Sequence, residues 1–216
     1  MSAYQHVCSL GPFCHASDLL KRLEVKRESY PFDWTCTALE MIMHCIEDDF
    51  TIFLDRSYYV SDPSNDVTRH TYYENRFRQS SGSFSHIPEM TDEKYQYFVR
   101  CVERFRKLLK SPMRKLFVIA NMVTYTEVVD PDYREKTIKF YEFLKKYTTN
   151  FDILCITHTP NKPHFSYNTS VQDGIYFMHL ETQSISHGVF LLDETENLFL
   201  CDVIKRHIMF DVKSLE

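Results

Sequence analysis

Cys14 is the side chain best placed by its neighbours to do covalent chemistry. Its thiolate would be the nucleophile, and the free N–H groups and dipole of a helix start favour a thiolate over a thiol. Apolar residues recur at Ala16, Leu19, Leu20 and Leu23, the spacing of one helical face. They follow a short apolar run, Val7 to Leu10, and the break at Gly11-Pro12, so Cys14 is predicted in the first turn of a helix entered from a strand through a tight loop. A cysteine nucleophile also needs a base and a group that orients the base. His187-Gly188-Val189-Phe190 reads as the opening of a strand, residues 193–197 as a hairpin turn, and residues 198–203 as the returning strand. That pairing predicts Asp202 beside His187, giving nucleophile Cys14, base His187 and orienter Asp202.

Other residues compete for roles. His15 follows Cys14 immediately, so on a helix it points about 100° away from the thiol. His86 is a second candidate base or substrate contact. Asp33, beside the only tryptophan, Trp34, is expected to cap a following helix or to contact substrate. Asp130-Pro131-Asp132 is a D-x-D pair that can hold a divalent cation and a diphosphate in a glycosyltransferase-like enzyme, although acidic residues flanking a proline are also ordinary helix-start chemistry. No cysteine and histidine set has metal-ligand spacing, and neither a phosphate loop nor a dinucleotide fingerprint occurs. No metal and no cofactor is expected.

The elements that must position these residues follow from periodicity. An apolar stripe from Leu39 to Leu54 predicts a helix over about 35–55, with Thr37 and Glu40 at capping-box spacing. Residues 56–91 carry turn chemistry at 62–66 and at 80–83 and little periodicity, the pattern of a wall or lid over a site. Tyr95 to Leu109 forms a clear amphipathic helix, and residues 115–120 a buried strand. A helix over about 132–147 and a strand over 151–157 complete a βαβ unit. Residues 174–180, 188–192 and 198–203 read as further strands. The expected fold is one α/β domain over 1–216, a mixed and largely parallel sheet flanked by helices with an antiparallel C-terminal hairpin.

Ser9-Leu10-Gly11 with Cys14, then Ser29-Tyr30-Pro31-Phe32-Asp33-Trp34, resembles a family described as putative papain-like cysteine peptidases. The likeness runs more loosely through Asp49-Phe50, Phe84-Ser85-His86 and residues 95–119. It implies a cysteine-dependent hydrolase or acyl transferase acting on a peptide, amide or glycan, with Ser9, Gly11, Asp33, Trp34 and His86 near the substrate. A papain-like α+β fold is the alternative architecture it implies, although the βαβ unit is not part of a plain papain fold. Where relatives read His-Asp-Phe, this chain has His86-Ile87-Pro88.

Composition bounds the rest. Among 216 residues, 44% are hydrophobic and 25% charged, a globular balance, and a formal net charge of −5 speaks against a general nucleic-acid partner. Seven cysteines without C-x-x-C spacing suggest reduced thiols in a cytoplasmic protein. No membrane-length apolar run or leader-like start is present, so no membrane partner is expected. A non-catalytic interaction module on a once-enzymatic fold is the third reading.

Overall fold

The structure, a computed structural model, describes residues 3–77, 82–125 and 130–212. In chain order its elements are β1 (His6–Pro12), α1 (His15–Arg22), α2 (Leu39–Glu47), β2 (Tyr59–Asp62), β3 (Val67–His70), α3 (Thr71–Arg76), β4 (Phe84–Ser85), α4 (Asp92–Lys110), β5 (Lys115–Asn121), α5 (Tyr133–Leu144), β6 (Phe151–Thr159), β7 (Ser166–Gln172), β8 (Ile175–Glu181) and α6 (Glu194–His207).

The main sheet has the order β1-β5-β6-β8-β7. Its first four strands are parallel, and β7 joins β8 antiparallel. Because successive side chains of a strand point to opposite faces, each central strand feeds two cores. Cys8, Leu10, Phe117, Ile119, Ile153 and Cys155 face one side, where they meet Ile42 of α2, Phe105 of α4 and Phe140 of α5. Val7, Leu116, Val118, Leu154 and Ile156 face the other, against Leu19 and Leu20 of α1 and Leu200 and Ile204 of α6. The mixed, mostly parallel α/β fold expected from the sequence is the one observed.

Three local expectations are corrected. The antiparallel hairpin is β7–β8, and residues 194–207 form α6 instead of a strand. Asp193 begins that helix, its carboxylate accepting from the Thr195 N–H at 2.8 Å. Glu194 and Glu196 occupy the first turn and Lys205, Arg206 and His207 the last, as the helix dipole favours. Second, α2 covers only Leu39–Glu47 and its N-cap is Ala38, which has no side-chain cap; Thr37 makes no capping box. Third, the segment 56–91 contains a small antiparallel sheet, β2-β3-β4, with α3 after β3. Of its turn residues, Ser80 and Ser81 lie outside the described residues.

Gly11 has a conformational task where β1 bulges. The register against β5 shifts between Ser9 and Pro12, and Gly11 sits at φ +75°, in the left-handed region. A Cβ there would lie 1.9 Å from Thr37 Oγ1, which is itself buried. Gly11→Ala is therefore expected to cost about 2–4 kcal/mol of unfolding free energy from combined clash and backbone strain. In urea denaturation, adding Thr37→Ala should recover only the part due to the clash.

Candidate functional site

The chain leaves β1 toward α1 on one face and leaves β5 toward α5 on the other. Neighbouring parallel strands whose exits diverge leave a crevice at their C-terminal ends, the usual ligand position in such sheets. Cys14 lies there as the N-cap of α1, at φ −66° and ψ −12°, with its carbonyl accepting from the Asp18 N–H at 3.0 Å. The thiol lines a cavity of about 330 Å³ together with Cys36, His86, Thr124, Tyr125 and His187.

Burial decides the thiol's ionisation. Removal from water, then the neighbouring Cys36, with smaller contributions from Asp33 and Asp18, pushes Cys14 up to about 12. The expected helix-start activation is outweighed, and the resting group is a thiol. Among the described residues no hydrogen bond joins it to either imidazole.

His187 reaches the cavity on a clasped loop. Glu196 of α6 accepts from the N–H groups of Gln183 and Ser184 at 2.5 and 3.1 Å, and Asn197 brackets Leu191 by accepting from its N–H at 2.9 Å and donating to its carbonyl at 2.8 Å. Within the loop Ser186 N–H donates to the Val123 carbonyl, Gly188 N–H donates to Ser186 Oγ, and the His187 ring stacks on Phe190 with centroids 5.8 Å apart. Asp202 is not part of this arrangement. It lies on α6, pairs with Arg206 at 2.5 Å, and lines a different cavity with Arg22 and Lys205. The His187–Asp202 pairing expected from a hairpin fails because the returning segment is helical.

The other imidazole brings its own carboxylate. His86 Nδ1 is 3.0 Å from Asp66 Oδ2, and the His86 N–H donates to the Asp66 carbonyl at 2.8 Å. Antiparallel pairing of β3 with β4 creates this meeting, since Val67 is opposite Ser85 and Asp66 and His86 directly extend that pair. Asp66 had no motif to mark it, and its only signal was the turn chemistry of 62–66. The segment that carries it forms a wall of the cavity through His86.

The other expected contacts, Ser9, Gly11, Asp33 and Trp34, lie outside the lining of this cavity. Asp33 is fully buried and caps no helix: it accepts from Ser9 Oγ, from Lys26 Nζ and, at 2.8 Å, from the Tyr30 N–H. Trp34 is half-buried beneath Lys21, whose Nζ is 4.3 Å from the ring centroid. Asp130 lines a separate cavity of about 390 Å³ with Thr37 and Lys136. Its carboxylate is held by Lys136 Nζ at 2.5 Å and by the Asp132 N–H at 2.9 Å. Among the described residues no group of three histidine, cysteine or acidic side chains is placed to hold a metal ion.

A family profile described as putative papain-like cysteine peptidase matches residues 5–161. The chain belongs to that family. The family match takes in Cys14, Cys36, Asp66 and His86 and ends before β7, leaving the His187 loop and α6 outside it. No curated protein and no solved structure shows significant similarity to the chain. None of the described helices is long and apolar enough to cross a membrane.

His15, next to Cys14 in the chain, and His158 are both buried. His15 Nδ1 is 3.1 Å from Ser186 Oγ, and burial, then His158 and Arg22, lowers it to about 3. His158 Nδ1 accepts from the Val123 N–H at 2.9 Å, and burial, opposed by a backbone hydrogen bond, lowers it to about 4. Both are neutral in the folded protein near pH 5, while an unfolded chain protonates its histidines below about 6.5. The unfolded state then binds more protons, so stability falls on acidification. Between pH 7 and pH 5 each of the two should remove about 2 kcal/mol of unfolding free energy, and His158→Gln should lessen the loss measured in urea titrations by about that amount.

A second measurement addresses the Cys14 thiol. With the thiol at about 12, iodoacetamide labelling of Cys14 in the native protein should climb about tenfold per pH unit through pH 7–9 without a plateau. Quantitative peptide mass spectrometry reads the rate, and saturation by neutral pH would contradict the buried-thiol picture.

Proposed function

We propose that the protein is a cysteine-dependent hydrolase or acyl transferase, with Cys14 as nucleophile and His86, oriented by Asp66, as its base. One observation carries this reading: the thiol at the sheet's C-terminal edge shares its cavity with an imidazole already paired to a carboxylate. Membership of the cysteine peptidase family supports the class of chemistry.

The chemistry follows from the resting thiol. With no preformed thiolate, His86 Nε2 takes the Cys14 proton as sulfur attacks a substrate carbonyl carbon, and Asp66 stabilises the imidazolium through Nδ1–H. The C–S bond forms, the C–N or C–O bond to the leaving group breaks, and the imidazolium returns the proton to that group. Water, or an acceptor amine or alcohol, then attacks the thioester by the same proton path. Peptides and amides fit this scheme. His187, across the cavity, is a substrate contact in this reading and the alternative base.

The test uses an activated ester, p-nitrophenyl acetate, and intact-mass detection. A transient acetyl adduct on Cys14 is expected, absent in Cys14→Ala. His86→Ala should slow acylation by about 10²–10⁴ and Asp66→Asn in the same direction, whereas His187→Ala should cost less than about tenfold. Collapse in His187→Ala with His86→Ala unaffected would transfer the base role to His187, and acetylation elsewhere would remove the proposal.

A further inference from the structure

Two cysteines line the cavity at this site. Five of the seven cysteines are buried, and the two that are half-buried, Cys14 and Cys36, line the same cavity. Their backbones run side by side, because the Thr37 N–H donates to the Pro12 carbonyl at 2.9 Å, one residue beyond Cys36 and two before Cys14. Cys36 is fixed from its other side by the small-sheet segment. Its N–H donates to the Ser83 carbonyl at 3.0 Å and its carbonyl accepts from the Gly82 N–H at 2.8 Å. Each thiol stands within the other's electrostatic reach, since Cys36 is among the causes that hold Cys14 in its protonated form. Two imidazoles stand on the cavity wall, His86 and His187, and either can hold the Cys14 proton until a leaving hydroxide takes it.

We propose that Cys14 and Cys36 are a dithiol site that closes to a reversible intramolecular disulfide when the protein meets hydrogen peroxide. Cys14 sulfur, deprotonated as an imidazole takes its proton, attacks one peroxide oxygen; the O–O bond breaks, sulfur becomes a sulfenic acid, and the departing hydroxide takes the imidazolium proton to leave as water. The Cys36 sulfur then attacks the Cys14 sulfur. The S–S bond forms, the S–O bond breaks, and the departing hydroxide takes the Cys36 proton to leave as a second water. Two thiols and one peroxide thus give one disulfide and two waters, with the two electrons passing from sulfur to oxygen.

Bond formation needs only the two thiols and their cavity, so it stands independently of the acyl-transfer reading. Where both hold, oxidation ties up the nucleophile, and a thiol reductant restores it. Cys36 then protects Cys14, since a sulfenic acid captured by a neighbouring thiol does not proceed to the irreversible sulfinic acid.

The experiment treats the reduced full-length chain with hydrogen peroxide, blocks remaining thiols with N-ethylmaleimide and maps unreduced peptides by mass spectrometry. A Cys14–Cys36 cross-linked peptide that disappears on dithiothreitol treatment is expected, with the five buried cysteines still alkylated after denaturation. In Cys36→Ser, labelling of Cys14 by the sulfenic-acid reagent dimedone should rise at least about fivefold over the native chain. Recovery of Cys14 as sulfinic acid in the native chain with Cys36 still free would overturn the proposal. So would a disulfide that pairs either residue preferentially with a buried cysteine. If Cys36→Ser fails to fold by circular dichroism, the cross-link map of the native chain decides alone.

Discussion

A single buried carboxylate holds the beginning of this molecule together. Asp33 has no exposed surface, and around it converge a hydroxyl from β1, the ammonium of Lys26 and a backbone N–H from its own turn. An ionised carboxylate away from water is tolerated only when its oxygens are fully engaged, and removing one partner leaves an uncompensated charge. The turn at 30–34 must therefore lie against Ser9, and the chain after it must pass beside Pro12. This fixes where Cys36 and Thr37 run relative to Cys14. The carboxylate does not line the Cys14 cavity, and its charge reaches Cys14 only as one of the minor influences that keep the thiol protonated.

The legible parts of the sequence were those in which pattern and packing agree. The strand and helix around Cys14, the long amphipathic α4, and the β5–α5–β6 unit could be read because their apolar residues keep one period and both sheet faces are covered. α6 was misread because Leu198-Phe199-Leu200-Cys201 is a continuous apolar run, and such a run does not separate strand from helix. Its termini held the better signal, with Asp193 in capping position, acids in the first turn and bases in the last.

The candidate site was half legible for a related reason. Cys14 and His86 stand in or near local motifs, and the cavity contains both. The partner of His86 is 20 residues away and is brought in by strand pairing, which no spacing rule announces. Asp33 was read as a helix cap because Pro31 and the apolar stripe after it resemble a helix entrance. The buried Lys26 that claims its charge lies seven residues earlier, in a stretch that reads as solvated surface.

The cavity draws on residues 14, 36, 86, 124 and 187, which come from five separate stretches of chain. During synthesis the thiol leaves the ribosome before the loop bearing His187 and before α6, whose Glu196 and Asn197 clasp that loop. A partly made chain therefore carries Cys14 without the rest of its cavity, and topology alone sets the order in which the walls arrive around the thiol.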